Sequence, residues 1–300
     1  MALDHNGTRF LLYARKRGTD FANTAMIGRQ LLHLTPGWLA RNLCHFGYPT
    51  AETTAKALMT EKNGYAEPFL QLIGAREVCS FDASPFEQAT YIHDFNFPID
   101  ERFHKRFTTV LDGGTLEHVF NFPVALKNCM ELVAIGGHFL GITPANNAFG
   151  HGFYQFSPEL YYKVFSPENG FRLEQMFAYE TDNVDWFAVT DVARQSGRVT
   201  LVNHRETYLL VIAQRLEART IFATPIQQSC YTDGLWEAKS LNASQADSAG
   251  VLARLKSRVP GILKPPLRGL RNSVNALRDS PSWKYCFPFD PRYFKKIRTP

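Results

Sequence analysis

Apolar residues fall into two alternating rhythms along the chain. Short β-rich runs occur at "NTAMIG" (23–28), "REVCSFDAS" (76–84), "ATYIHDFN" (89–96), "FTTVLDG" (107–113) and "HFLGITPANN" (138–147). Two more follow at "LEQMFAYET" (173–181) and "ETYLLVIAQR" (206–215). Helical stripes separate them. In "GYAEPFLQLIGA" (64–75), Phe69, Leu70, Leu72 and Ile73 share a face. In "FPVALKNCMELVAIGG" (122–137), Val124, Ala125, Met130, Leu132 and Val133 recur at helical intervals, and Gly136-Gly137 reads as the stop. "SPELYYKVFS" (157–166) opens with Ser157 as N-cap and Pro158 at the first helical position. Strands alternating with helices predict an α/β domain with a largely parallel sheet.

Residues 31–63 and 182–205 interrupt this alternation as insertions, the second with room for a helix. The small, polar stretch "SLNASQADSAG" (240–250) reads as a linker. The predicted division is therefore a Rossmann-like domain over 1–240 and an extension over 241–300. In the extension, Val251, Leu252, Leu255 and Val259 share one face of a predicted helix, and Leu267, Leu270, Val274 and Leu277 share one face of another.

Charge sharpens that division. Residues 251–300 hold twelve Lys/Arg against two Asp/Glu, or +10, while the whole chain carries +5, so the first 250 residues carry −5. Docking of the basic tail on its own acidic body is the first reading, with peripheral contact at an anionic membrane surface next. Nucleic acid is not expected, because no binding motif accompanies the charge. The five cysteines are scattered without a C-x-x-C pair, as expected of reduced thiols in a cytoplasmic protein. The N-terminal apolar patch, Phe10 to Ala14, is short and flanked by charge, and no apolar run has the length of a membrane span.

Candidate chemistry lies at the strand ends, because ligands of open α/β sheets sit outside the carboxyl ends of the strands. The polar residues there are Gly28-Arg29-Gln30, Asp82-Ala83-Ser84, His93-Asp94-Phe95-Asn96, Asp112-Gly113-Gly114-Thr115 and Pro144-Ala145-Asn146-Asn147. No G-x-G-x-x-G occurs, which disfavours a nicotinamide dehydrogenase. The segments "FTTVLDGGTLEHV" and "ELVAIGGHFLGITP", with an acidic strand end some thirty residues upstream, resemble the class I S-adenosylmethionine-dependent methyltransferases. More narrowly, "MIGRQ", "SFDAS", "IHDFN", "DGGTLEHVFNF", "TPANN" and "GHGFYQFSPEL" together resemble an uncharacterised bacterial methyltransferase-like group.

The resemblance covers residues 20–180. It implies a Rossmann-like, mostly parallel sheet with a final antiparallel strand and helices on both faces. It also implies S-adenosyl-L-methionine as cofactor. Asp82 would accept hydrogen bonds from the ribose hydroxyls, with Ala83 and Ser84 beside it. Asp94 would face the adenine amino group and Phe95 the ring. Asp112, Gly113 and Gly114 would line the methionyl end, and Thr115 to His118 would form the turn that follows. The chain departs from the family after its first strand, where Gly28, Arg29 and Gln30 replace the usual glycine-rich loop. Either Arg29 meets the cofactor carboxylate as a charged partner, or the site is remodelled and inactive.

Methyl transfer to an oxygen or nitrogen of a small molecule or sugar is the expected activity. A non-catalytic, methyltransferase-like binding protein is the alternative. An oxygen acceptor needs a base, and imidazole is matched to neutral pH. His151, in the loop "ANNAFGHGFYQF" with Tyr154 and Gln155, is the first choice and His118 the second. Each imidazole also has a plain packing role open to it, and Glu117 reads equally as an acid favouring a helix start. A Mg²⁺ site from Asp112, Asn146 and Asn147 lacks a second carboxylate, so no metal is expected.

Overall fold

The computed structural model describes residues 2–181, 183–191, 201–229 and 294–297. In chain order they form β1 (Ala2–Leu3), α1 (His5–Lys16), β2 (Asn23–Ile27), β3 (Leu31–Leu32), α2 (Pro36–His45), α3 (Glu52–Thr60), α4 (Glu67–Leu72), β4 (Glu77–Asp82), β5 (Tyr91–Ile92), β6 (Phe107–Asp112), α5 (Phe122–Leu132), β7 (Val133–Asn146), α6 (Pro158–Val164), β8 (Phe171–Glu180), β9 (Phe187–Val189), β10 (Thr207–Arg215) and β11 (Phe294–Lys296). The main sheet runs β5-β4-β2-β6-β7-β10-β8-β9-β11. Its first five strands are parallel. β10 then enters antiparallel between β7 and β8. This is a Rossmann-like, mostly parallel sheet with a late antiparallel strand.

Strand order reverses between β2 and β6, because β4 and β5 build outward on one side and β6 and β7 on the other. Loops leaving those carboxyl ends diverge, which is where an open α/β sheet receives a ligand.

Alternation along the strands feeds a core on each face. Met26, Leu111, Leu140, Leu210 and Ile212 pack with Phe10, Leu11, Leu39, Leu43 and Phe69 from α1, α2 and α4. One residue out of phase, buried Val110 and Phe139 belong to the opposite face. Phe139 packs there against Phe165, the rings tilted and 4.9 Å apart between centroids. The apolar patch near the N-terminus is the buried face of α1, whose start is capped by Asp4 accepting from Gly7 N at 2.7 Å. Trp186, fully buried, donates to Asn6 Oδ1 at 2.9 Å and lies under the Arg9 guanidinium, so α1 pins the segment before β9.

Several expectations need correction. The helix expected over 122–137 stops at Leu132, and Val133 already starts β7. Gly136-Gly137 is no helix stop but part of an irregular strand entry, where the β6–β7 register shifts between Phe107 and Thr109. A Cβ on Gly137 would come within 2.8 Å of Thr108 O, so only glycine lets the strands approach there. Residues 31–63 hold β3, α2 and α3, with Thr35 and Pro36 starting α2. The described part of 182–205 holds strand β9, not a helix. Ser157 is the N-cap residue of α6, but its side chain makes no capping hydrogen bond.

The chain divides into two compact units. The first comprises Met1–Asp191, Arg205–Ile226 and Phe294–Pro300, and the second Val192–His204 and Gln227–Tyr293. Of the second, only residues 201–204 and 227–229 are described. The basic helices expected over 251–259 and 267–277 lie outside the described residues. Of the basic tail, residues 294–296 form strand β11, paired with β9. No helix among the described residues is long and apolar enough to cross a membrane.

Candidate active site

Three strand ends lie level with one another. Ile27 of β2 pairs with Phe81 of β4 on one side and with Asp112 of β6 on the other. Gly28 N donates to Phe81 O at 2.8 Å, and His93 N donates to Asp82 O at 2.8 Å. Gly28, Asp82, His93-Asp94 and Asp112-Gly113 therefore share one edge of the sheet. Asp82 and Asp94 are half-buried, and Ala83 and Ser84 are exposed. Each acid closes a local turn, Asp82 accepting from Ser84 N at 3.1 Å and Asp94 from Asn96 N at 2.9 Å. Phe95 points inward instead, buried edge-on against Phe81.

The end of β2 is filled by its own side chains. The Arg29 guanidinium pairs with Glu67 at 2.6 Å, donates to Glu87 O at 2.9 Å and stacks 3.8 Å above the Tyr65 ring. Its charge is thus already neutralised and desolvated within the protein. Gln30, fully buried, donates from Nε2 to Ile27 O and Gly28 O, both at 3.2 Å. Its amide lies against Gly113, where an added Cβ would stand 2.5 Å from Gln30 Oε1. Thr115 Oγ1 donates to Ile27 O across the same gap. Gln30 and Thr115 thus bridge β2 and β6 where the strand order reverses.

Asp112 is buried, with Oδ1 accepting from Thr115 N at 2.8 Å and Leu116 N at 3.3 Å. Its Oδ2 has no hydrogen-bond partner. Burial pushes this carboxyl up to about 7, against the opposing pull of the Thr115, Leu116 and Gly114 amides. Gly114 has φ +98°, a conformation that admits glycine most readily and lets the chain turn straight off the strand.

The turn leads into a short 3₁₀ segment, Leu116–His118, rather than an α-helix. The loop after β7 folds back onto it. Phe153 N donates to Glu117 O at 2.7 Å, and Tyr154 Oη donates to Phe120 O at 2.7 Å. Gly152, at φ +70°, sits so close that a Cβ would meet Glu117 O at 2.7 Å. These contacts deliver His151 to Glu117, with Nε2 3.4 Å from Glu117 Oε1, and set its ring 5.0 Å from that of His118. Glu117 is fully buried, and neither carboxylate oxygen has a hydrogen-bond partner. Burial, and then the charge of Asp112, push it up to about 8. Burial and the neighbouring His151 lower His118.

The structure therefore brings His118 and His151 together, and it adds Glu117, which the sequence offered equally as a helix-start acid. The available signal was the adjacency Glu117-His118 combined with the glycine-flanked His151. Tyr154 and Gln155 hold the loop instead, Gln155 Oε1 accepting from Ala148 N at 2.9 Å. Asn147 donates to Arg205 O at 2.9 Å. Phe86, Phe97, Phe120, Phe149 and Phe153, all on loops that follow parallel strands, are exposed. No composition or periodicity argument distinguishes such loop aromatics from core ones.

No family model matches the chain, and no curated protein does. Solved structures do resemble it. One belongs to the Haloferax volcanii complex containing the Trm112 methyltransferase activator: 13% identity over 70% of this chain and 90% of that one, TM-score 0.38. Another is the trans-methyltransferase CalH in complex with SAH, with 12% identity over 70% and 57%, TM-score 0.37. A third is the branched-chain polyamine synthase of Thermus thermophilus with N4-aminopropylspermidine and 5'-methylthioadenosine, at 11% identity over 74% and 59%, TM-score 0.37. At such similarity, what the site does has to be read from this chain's own residues.

Proposed function

We propose that the protein is a class I, S-adenosylmethionine-dependent methyltransferase acting on an oxygen or nitrogen of a small molecule or sugar. The observation that carries this reading is the register of the strand ends. It sets Asp82, the approach to Asp94 and the Asp112-Gly113-Gly114 turn along one edge. An imidazole pair stands one short turn beyond it.

Bound S-adenosylmethionine would supply a methyl group already activated on its sulfonium sulfur. The protein's part is then to hold, orient and exclude water. In this reading Asp82 accepts from the ribose hydroxyls and Asp94 from the adenine amino group, both as charge-assisted contacts. Gly113 and Gly114 let backbone approach the methionyl end. Gln30 has to turn away from Gly113 or bind that end itself, because its amide now lies there. Phe95 acts from behind the strand, as packing for Asp94. His151 takes the acceptor proton, with Glu117 Oε1 standing 3.4 Å from its Nε2. His118 is the second base. The exposed Phe120 and Phe153, in contact with each other, border this pair and suit an acceptor with an apolar or ring face.

A second reading keeps the fold without the chemistry: a binding protein whose donor cleft is closed. The commitment of Arg29 to Glu67, Glu87 and Tyr65 and the seat of Gln30 on Gly113 favour it. Titration calorimetry with S-adenosylmethionine and S-adenosylhomocysteine decides between them. The first reading expects saturable binding of both ligands, weakened at least tenfold in Asp82→Ala. Absence of heat from folded protein selects the second.

A further inference from the structure

We propose that Glu117, His118 and His151 form a binding site for one divalent transition-metal ion of the zinc class, through a carboxylate oxygen and two imidazole nitrogens. Their ligand atoms all lie within 4.8 Å of one another. Two zinc ligands about 2.0 Å from a tetrahedral ion stand roughly 3.3 Å apart, and the pair His151 Nε2–Glu117 Oε1 is already at 3.4 Å. His118 and His151 are exposed, so their rings have room to turn toward an ion.

The second observation is the carboxylate itself. Glu117 is fully buried, yet both of its oxygens lack a hydrogen-bond partner. An unsatisfied buried carboxylate is costly, and a cation bridging it to the imidazoles removes that cost. The position is also built rather than incidental. Phe153 N and Tyr154 N both donate to Glu117 O, at 2.7 and 3.3 Å. Gly152 at φ +70° and Gly114 at φ +98° make room against the same residue.

Two imidazoles with one carboxylate suit Zn²⁺, Fe²⁺ or Co²⁺ better than Mg²⁺, which prefers oxygen and keeps its waters. Three protein ligands leave a coordination position for water or a substrate oxygen. With the ion in place His151 serves as a ligand, and the ion in turn acidifies the oxygen bound beside it. That last consequence rests on the methyl-transfer reading, whereas the metal site does not.

The test uses the full chain, freed of metal with a chelator and dialysed. Zn²⁺ is titrated in competition with a chromophoric chelator, and Co²⁺ is followed by its visible absorption. The expected result is one equivalent of Zn²⁺ and a Co²⁺ spectrum of four- or five-coordinate intensity. Glu117→Gln, His118→Asn and His151→Asn should each weaken Zn²⁺ at least tenfold with unchanged circular dichroism. Because both histidines are exposed, their variants stay interpretable if Glu117→Gln misfolds. Failure of the wild type to bind one equivalent, or binding that survives both histidine variants, overturns the proposal. Either result leaves the calorimetric test of S-adenosylmethionine binding standing on its own.

Discussion

Asp112 is the residue at which the energetics of the site are easiest to read. An unfolded Asp titrates near 3.9, whereas burial holds Asp112 near 7 in the folded chain. Between those values the folded state keeps a proton that the unfolded state has lost. The contribution of Asp112 to stability therefore falls as pH rises from about 4 to about 7 and is flat above, by on the order of 4 kcal/mol. Asp112→Asn cannot ionise, so it should gain stability relative to wild type between pH 5 and pH 8 in urea unfolding. Parallel pH profiles for the two proteins would refute this account of the carboxyl. Gly113 offers a second test. Gly113→Ala forces a methyl group onto the buried Gln30 amide, and overpacking of that kind costs about 1–3 kcal/mol. In a Gln30→Ser background most of that cost should vanish, and equal costs in both backgrounds would show that Gln30 does not fill the gap. Of these residues, the strand-end position of Asp112 and the two glycines was legible in the sequence, because an apolar run closing in Asp-Gly-Gly marks a strand exit. The role of Gln30 was not, since its effect depends on a long-range approach to Gly113 that no local pattern encodes.

At the scale of elements, the junction of α5 and β7 depends on one buried cation. The Arg215 guanidinium donates to Met130 O at 2.9 Å and Val133 O at 3.0 Å, and stands 3.5 Å from Glu131 Oε2. It satisfies carbonyls left open at a helix C-terminus and places positive charge at the negative end of the dipole. Arg215→Met should cost about 3–5 kcal/mol, since it strands those carbonyls and leaves Glu131 without its counter-charge. A loss under 1 kcal/mol in urea unfolding would mean that water caps the helix equally well. Asp4→Ala should cost about 1 kcal/mol by removing the α1 cap. The same junction explains a boundary the sequence blurred. Residues 122–146 are predominantly apolar, so helical periodicity runs on through Val133, and the glycines in the strand read as its end. The start of α1 carries no apolar stripe, because Asn6, Thr8 and Arg9 are polar yet buried. Asn6 and Arg9 find partners in residues 183–186, far along the chain.

The whole molecule was more legible than its joints. Alternating strand and helix patterns sufficed for a mostly parallel sheet, since each βα step constrains the next to one side. The pairing of β10 with β7, and the return of residues 294–296 to the sheet edge, join positions more than sixty and more than one hundred residues apart in sequence. Only the strand register shows that the acids at positions 82, 94 and 112 share an edge. The central claim is that this edge receives the methyl donor. Electron density from crystals grown with S-adenosylhomocysteine tests it most directly. The account predicts an adenosyl group along Asp82 and Asp94, a methionyl end at Gly113 and a displaced Gln30 side chain. Gln30 still seated on Gly113, with the ligand absent or bound elsewhere, would contradict it.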